Sequence, residues 1–395
     1  MAAVGSRRAP PLSLSPSARS ARRARGGGRG VTRRCATLSQ LRTLVTPDGA
    51  TLSYKVVGEG RHHALVVHGG PGAGCFDRHA SFFDTAEYTV VLLDQRGCGA
   101  SMKGAQRLAD NTTEQLVADM ELLREALGVD SWLLFGGSWG VALSLSYASR
   151  HPARVWGLVL RGVFLGRREE VNWLYRGGGA ASLFPRQWEE FVGRLPEGER
   201  HDPVAAYAAR LCACDAGTRT AAAGAWARWT NAVYAGLPRG GEATYDGRVW
   251  SPGGKAFEAP APLPAATAAA APPDAQSQYS RNQAQAVLEA WYCEHGFFGL
   301  ETEPLLERVA AFQDIPAIAI QGREDLITPV RTAWDLHRAW PSLRMRVVPG
   351  GHSMYGEAVS KALKEAAADM LQNAPPLATP EEEALGVESL AGAGI

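Results

Sequence analysis

The sequence predicts an α/β fold in which a mostly parallel sheet is flanked by helices. From Leu41 onward, strand-like apolar runs alternate with helix-like stretches, which is typical of parallel strands joined by crossover helices. Several of the short apolar runs also end in glycine-rich turns. The predicted strands are 41–46, 50–57, 64–67, 88–93, 132–135, 155–160, 317–321 and 344–348.

The first elements are predicted from turn and capping residues. The first two strands are separated by Pro47-Asp48-Gly49, so they are predicted to form a hairpin. A helix is predicted to begin near Asn111 or Thr112, because either side chain can accept a hydrogen bond from a free backbone N–H group. This helix is predicted to end near Leu127.

The organisation of the rest of the chain follows from changes in composition. After Arg161, Trp-rich and Ala-rich helical segments replace the alternating pattern, and 259–273 is nearly all Ala and Pro. We therefore expect a helical cap inserted between two core strands. The predicted parts are a disordered basic segment at 1–40, a first core part at 41–165, a helical cap at 166–300 with a flexible insertion at about 237–280, a second core part at 301–372 and a disordered acidic tail at 373–395.

The charge and composition of the chain argue against several functional classes. The first 47 residues hold ten Arg and no acid, whereas the remainder carries 31 basic and 40 acidic residues, a net charge of −9. The net negative charge of residues 48–395 gives no electrostatic reason to expect nucleic-acid binding. No run approaches the ~18 consecutive apolar residues of a membrane span. The six Cys lack zinc-type spacing, so we expect reduced thiols and no zinc site.

The first 40 residues have the composition of a targeting segment. They are rich in Arg, Ser, Ala and Gly and lack an apolar core of signal-peptide length. This pattern predicts a transit peptide for a plastid or a mitochondrion. The alternatives are a disordered basic tail, or a start codon assigned upstream of a cytoplasmic protein. The sequence leaves the oligomeric state open.

A serine lies at the most informative turn of the chain. Ser138 is the centre of Gly136-Gly137-Ser138-Trp139-Gly140, which follows the predicted strand 132–135 and precedes a helix-forming stretch. A strand, G-x-S-x-G and a helix in this order form the nucleophile elbow of the α/β-hydrolase fold. Small neighbours allow the strained turn that exposes the serine Oγ. The sequence therefore predicts this fold, with Ser138 as a nucleophile.

An acid and a histidine follow the last two predicted strands. Glu324 and Asp325 come after the strand 317–321, and His352 comes after the strand 344–348. Both groups should therefore lie at the carboxyl edge of the sheet beside Ser138, in the chain order that α/β hydrolases use. The position after the strand does not distinguish Glu324 from Asp325 as the residue that orients the histidine.

A glycine-rich turn after the strand 64–67 supplies the remaining part of such a site. His68-Gly69-Gly70-Pro71-Gly72 matches the H-G-G type of loop that donates one backbone N–H group to an oxyanion, while the residue after the nucleophile donates the other. The predicted oxyanion donors are therefore Gly70 and Trp139. His68 is predicted to brace the loop.

Several motifs together resemble those of proline iminopeptidases, and the resemblance covers about 41–364. Enzymes of this family release an N-terminal proline from peptides without a metal or cofactor. The resemblance therefore implies that Ser138 attacks the prolyl carbonyl, that His352 is the base and that Asp325 orients it. The motifs are His68-Gly69-Gly70-Pro71-Gly72, Asp94-Gln95-Arg96-Gly97-Cys98-Gly99-Ala100-Ser101, Asn111-Thr112-Thr113, Gly136-Gly137-Ser138-Trp139-Gly140, Leu158-Val159-Leu160-Arg161-Gly162-Val163-Phe164-Leu165 and Gly322-Arg323-Glu324-Asp325.

The resemblance also assigns the substrate pocket, with one departure. Phe164 and Tyr175 are predicted apolar walls for the pyrrolidine ring, although either aromatic ring can equally serve cap packing. The family binds the substrate amine with glutamates from the cap, and Glu289 fits one of them. The other position is occupied here by Thr230, which supplies no charge. An alternative function is therefore an esterase or amidase that acts on uncharged acyl groups.

Overall fold

The computed structural model describes residues 40–102, 108–212, 215–236, 243–245, 250–252, 262–263 and 281–376. The predicted basic segment, acidic tail and Ala/Pro-rich insertion therefore lie almost wholly outside the described residues. In the described parts of the chain, no helix combines the length and the apolar composition that a bilayer span requires.

All eight predicted strands are present. The residues of the central strands are mostly buried because helices cover both faces of the sheet there, whereas those of the two edge strands are exposed or half-buried. The strands are β1 Arg42–Val45, β2 Thr51–Val57, β3 His62–Val67, β4 Tyr88–Asp94, β5 Trp132–Gly137, β6 Val155–Arg161, β7 Ala243–Tyr245, β8 Trp250–Pro252, β9 Ala317–Gly322 and β10 Arg344–Val348. The strands β7 and β8 pair only with each other.

The eight-stranded sheet has the order β1-β2-β4-β3-β5-β6-β9-β10. The strands β1 and β2 form the predicted antiparallel hairpin, β2 is also antiparallel to β4, and the remaining neighbours are parallel. Parallel neighbours end at one edge, where Gly137 of β5 is opposite Arg161 of β6. The loops after β3, β5, β6, β9 and β10 therefore meet at that edge.

The helices flank this sheet or lie between β6 and β9 in the chain. They are α1 Thr113–Ala126, α2 Trp139–Arg150, α3 Arg168–Tyr175, α4 Ala180–Leu183, α5 Pro185–Val192, α6 Pro203–Leu211, α7 Ala216–Ala235, α8 Arg281–Glu294, α9 Gly296–Gly299, α10 Val330–Ala339 and α11 Glu357–Met370. The predicted N-cap residue of α1 is confirmed as Thr112, whose side chain accepts a hydrogen bond from the Gln115 N–H group. A short 3-10 helix, Asp77–Phe82, follows the loop after β3.

We call α3 to α9 the cap. Its interior is aromatic, with Trp226 stacked on Tyr175 at 4.3 Å and Phe191 stacked on Tyr207 at 4.4 Å between ring centroids. The cap is attached to the core near the start of α1. The hydroxyl of Tyr292 donates to Asn111 Oδ1 at 2.8 Å, and Thr113 Oγ1 donates to the Phe297 carbonyl at 2.7 Å. These bonds fix α8 and α9 over the carboxyl edge of the sheet.

Candidate active site

Ser138 lies in a strained turn between β5 and α2. Its φ of 57° is in a region that non-glycine residues avoid, a strain that costs on the order of 1–3 kcal/mol. The neighbouring glycines make the turn possible. A Cβ at Gly136 would lie 2.6 Å from the Gly140 carbonyl oxygen, and a side chain at Gly140 would collide with the Val67 carbonyl oxygen. The G-x-S-x-G pattern is therefore required by close backbone approach.

Asp325 and His352 form a buried pair at the same edge. His352 Nδ1 lies 2.8 Å from Asp325 Oδ2. The carboxylate is held in place by the backbone N–H group of Thr328 at 2.9 Å and by the Thr328 hydroxyl at 2.9 Å. Glu324, in contrast, accepts from the backbone N–H group of Gly350. Of the two neighbouring acids, Asp325 is the one in contact with the histidine.

The electrostatic surroundings favour an ionised Asp325 and a neutral His352. Burial raises the pKa of Asp325, but His352, the Thr328 N–H group and Arg161 together hold it below its ordinary value. Burial lowers the pKa of His352; the Asp325 carboxylate opposes this shift, and the Arg161 guanidinium adds to it. A neutral imidazole with Nδ1–H directed at Asp325 leaves Nε2 as a proton acceptor.

The Nε2 atom of His352 faces Arg161. Arg161 Nη1 lies 3.2 Å from Nε2 and donates to the His352 carbonyl oxygen at 2.9 Å. The guanidinium also lies next to the residue before Ser138, because a Cβ at Gly137 would be 2.6 Å from Arg161 Nη2. Among the described residues, no hydrogen bond joins Ser138 Oγ to Nε2. A proton transfer from Ser138 to Nε2 would therefore require the Ser138 hydroxyl or the Arg161 guanidinium to move first.

The predicted oxyanion donors lie on either side of Ser138. Trp139 is the first residue of α2, where backbone N–H groups lack partners within the helix. A Cβ at Gly69 would lie 3.7 Å from Ser138 Oγ, so the loop that contains Gly70 lies close to the Ser138 hydroxyl. His68 braces this loop, because its Nε2 accepts from the Gln95 N–H group at 3.0 Å. Gln95 in turn accepts from the Trp139 indole at 3.1 Å.

One cavity of about 250 Å³ connects these groups with the cap. Two of the predicted residues do not line the cavity: Asp325, which contacts His352, and Trp139, which follows Ser138 in the chain. The remaining seven all line it: Gly70, Ser138, Phe164, Tyr175, Thr230, Glu289 and His352. The structure therefore brings the residues predicted for the chemistry and those predicted for the substrate to one place.

Glu289 and Thr230 differ in what they present to the cavity. Glu289 Oε2 accepts from the Trp226 indole at 2.8 Å, and Oε1 accepts from the Gln285 amide at 2.7 Å. Burial raises the pKa of Glu289, and these two hydrogen bonds oppose the rise. The Thr230 hydroxyl donates to carbonyl oxygens of its own helix, α7. Its oxygen lone pairs are left for a ligand, but it brings no charge.

Comparison with known proteins decides the family. A family profile described as the alpha/beta hydrolase fold matches residues 64–359. A proline iminopeptidase from Xylella fastidiosa (strain Temecula1 / ATCC 700964) is 38% identical over 317 residues, 79% of this chain and 90% of that protein. One from Neisseria gonorrhoeae is 38% identical over 307 residues, 78% of this chain and 88% of that protein. The chain belongs to the proline iminopeptidase family.

Solved structures with lower sequence identity share the fold of this family member. A haloalkane dehalogenase loop variant from Bradyrhizobium elkanii superposes with a TM-score of 0.53 over 85% of this chain and 99% of that chain, at 15% identity. A likeness at that level concerns the α/β-hydrolase architecture alone. In this proline iminopeptidase family member, the residue at the elbow is Ser138.

Two residues around His352 were not predicted from the sequence. Arg161 ends the buried strand β6, and a cation at the end of such a strand is the signal that could have indicated a site residue. Thr328, which lies 3.2 Å from His352 Nδ1 through its hydroxyl and also bonds Asp325, is in a loop without a distinctive pattern. The contacts of Thr328 with His352 and Asp325 are therefore evident only from the three-dimensional structure.

Replacing Arg161 should change the pH dependence of catalysis in this family member. His352 is faced by Asp325, by Arg161, by the Thr328 hydroxyl and by the Tyr234 ring at 5.7 Å. Because Arg161 lowers the pKa of His352, Arg161→Met should raise it and move the acid limb of the kcat/KM profile to higher pH. Loss of the bond to the His352 carbonyl should also reduce kcat/KM about tenfold.

The matched control for this prediction is Arg161→Lys, which keeps the positive charge. The acid limb of its kcat/KM profile should be shifted less from that of the unmodified enzyme than the acid limb of Arg161→Met is. Profiles measured between pH 4 and 9 with a prolyl arylamide would contradict the prediction if the Met variant had an unchanged or more acidic limb.

Proposed function

We propose that this chain is a serine aminopeptidase that releases proline from the N-terminus of peptides. The observation that carries the proposal is the single cavity shared by Ser138, His352 and Glu289, with Asp325 behind the histidine. Membership of the proline iminopeptidase family supports the same substrate class.

The proposed reaction has two halves. Ser138 Oγ attacks the prolyl carbonyl carbon while His352 Nε2 takes the serine proton, and the N–H groups of Gly70 and Trp139 receive the oxyanion. When the C–N bond breaks, His352 gives its proton to the leaving amine. Water then attacks the prolyl ester while His352 takes its proton; the ester C–O bond breaks, His352 returns the proton to Ser138 Oγ, and proline is released.

The proposed selection of the first residue rests on charge and shape. Glu289 is a half-buried carboxylate that would pair with the substrate's cationic amine, a charge-assisted bond about twice as strong as a neutral one. Phe164, which packs edge-to-face on Phe297 at 5.0 Å, and Tyr175 would line the pyrrolidine ring. An N-acylated proline has no positive charge for Glu289 and would leave the carboxylate unpaired.

The amine site can be tested with a prolyl arylamide and its N-acetyl counterpart. The enzyme should hydrolyse the free amine much faster, and Glu289→Gln should lower kcat/KM for that substrate about 10- to 100-fold by removing one charged partner. The N-acetyl substrate should be little affected. Glu189→Gln, at an exposed position of α5 outside the cavity, is the matched control and should behave like the unmodified enzyme.

Thr230 is the observation that favours a second function, hydrolysis of esters or amides with uncharged acyl groups. If the N-acetyl substrate or a simple ester is hydrolysed faster than the free prolyl amide, this second function replaces the first. Thr230→Glu should then increase selection for the free amine, because it adds the carboxylate that the family places there. If Thr230→Glu left this selection unchanged, the assignment of Thr230 to the amine site would be wrong.

A further inference from the structure

The charged groups of the cavity are unevenly distributed. Among the described residues that line it, Glu289 is the one carboxylate, whereas two guanidinium groups are present, those of Arg78 and Arg161. Arg161 is only 8% exposed and already donates to the His352 carbonyl oxygen. Arg78 is exposed, so it is the guanidinium that a ligand can reach from solvent.

Arg78 is held on an aromatic platform. Its guanidinium carbon lies 4.0 Å from the centre of the Tyr355 ring and 5.2 Å from that of Phe76. His79 stacks on Tyr355 at 6.2 Å, and we call Phe76, Arg78, His79 and Tyr355 the rim cluster. All four residues line the cavity. Stacking against the rings restricts the long Arg78 side chain without using its N–H donors on an acid.

The rim cluster carries one positive charge and no compensating acid. Within the described part of the chain, no carboxylate pairs with Arg78, and the neighbouring Asp77 pairs with Lys55 at 2.6 Å. Burial lowers the pKa of His79 to about 4, so this imidazole is neutral near pH 7. Arg78 is therefore the cation that the rim cluster offers to a ligand.

The rim cluster and the amine site are built from different parts of the chain. Glu289 is fixed in the cap by Trp226 and Gln285, whereas the rim cluster comes from the segment after β3, including the 3-10 helix, and from the loop after β10. A peptide whose first amine is at Glu289 and whose scissile carbonyl is at Ser138 must direct its second residue out of the cap. In a dipeptide, that second residue ends in a carboxylate.

We propose that the rim cluster is a subsite for the C-terminal carboxylate of the leaving residue, bound by Arg78, so that free prolyl dipeptides are preferred substrates. The inference rests on the proposed function, which places the amine at Glu289. The arrangement of one acid and one reachable guanidinium complements the two opposite charges of a zwitterionic dipeptide. Prolyl peptides with a neutral end lack the second interaction.

The test compares Pro-Ala with Pro-Ala amide, which differ only in the charge at the C-terminus. The enzyme should prefer the free acid by about three- to tenfold in kcat/KM at low ionic strength, as expected for a charge-assisted bond at an exposed site. In Arg78→Gln this ratio should fall to about one, and in Arg78→Lys it should be intermediate. Because salt screens exposed charges, the preference should also decrease at high ionic strength.

The control variant is Arg154→Ala, which removes a partly exposed arginine that does not line the cavity. The preference of this variant for Pro-Ala over Pro-Ala amide should equal that of the unmodified enzyme. The subsite proposal would be overturned if the unmodified enzyme gave a kcat/KM ratio of Pro-Ala to Pro-Ala amide near one. It would also be overturned if Arg78→Gln kept the full preference for Pro-Ala. If Arg78→Gln does not fold, Arg78→Lys and the salt dependence decide in the same way. Failure to hydrolyse a prolyl arylamide would instead overturn the proposed function.

Discussion

Ser138→Ala is expected to lower kcat for a prolyl arylamide by about a million-fold, the size of effect seen when a serine nucleophile is removed. Residual hydrolysis comes from water in a cavity that still binds the substrate and stabilises the oxyanion. Single-turnover kinetics measure this loss, and a fluorophosphonate probe that labels the unmodified enzyme should leave the variant unlabelled. A variant that retained more than about one hundredth of the activity would exclude Ser138 as the nucleophile.

Stability measurements separate this chemical effect from damage to the fold. Alanine keeps a Cβ at the φ of 57°, so Ser138→Ala should unfold at nearly the same temperature as the unmodified protein. Ser138→Gly relieves the strained conformation, although its greater freedom in the unfolded chain offsets part of the gain. Both variants should be inactive, and both should give the circular dichroism spectrum of the folded protein.

Asp325→Asn is expected to reduce kcat about ten thousand-fold while the fold is maintained. The amide that replaces the carboxylate donates toward His352 Nδ1, which lies 2.8 Å from Oδ2 in the native pair. The imidazole then carries its proton on Nε2 and cannot accept the Ser138 proton. Oδ1 of the asparagine can still accept from the Ile327 and Thr328 N–H groups, so the loop should keep its conformation.

Glu324→Gln is the matched control for the role of Asp325. This neighbouring acid bonds the Gly350 N–H group and does not contact His352, so its loss should change kcat no more than about twofold. Steady-state kinetics at pH 8 on both variants give the comparison. A larger loss in Glu324→Gln than in Asp325→Asn would exchange the roles assigned to the two acids.

The sequence predicted the parts of the structure that depend on local patterns. A short strand-like run that ends in a glycine turn is a strong signal in the sequence. It placed β3, β5, β9 and β10, and with them the loops that follow these strands. The order of these loops along the chain then indicated the positions of Ser138 and His352 at one edge. The choice between Glu324 and Asp325 required the structure, because neighbours in a loop differ only in orientation.

The environment of His352 could not be predicted from the sequence. Arg161 contacts the histidine across the register of β6, β9 and β10, and the direction of a long side chain is not encoded by spacing. Thr230 illustrates the same limit. Its lack of charge is evident from the sequence, but its hydroxyl donates within α7, which only the structure reveals.

The separate origins of the chemical groups and the selecting groups have an evolutionary consequence. Ser138, Asp325 and His352 follow strands of the sheet, whereas Tyr175, Thr230 and Glu289 belong to helices between β6 and β9. Substitutions in those helices can alter which molecules are hydrolysed while the machinery of bond cleavage is inherited unchanged. Under the proposed roles, threonine at position 230 beside Ser138, Asp325 and His352 is a change of this kind, and it makes the cap helices the place to look for new substrates in related chains.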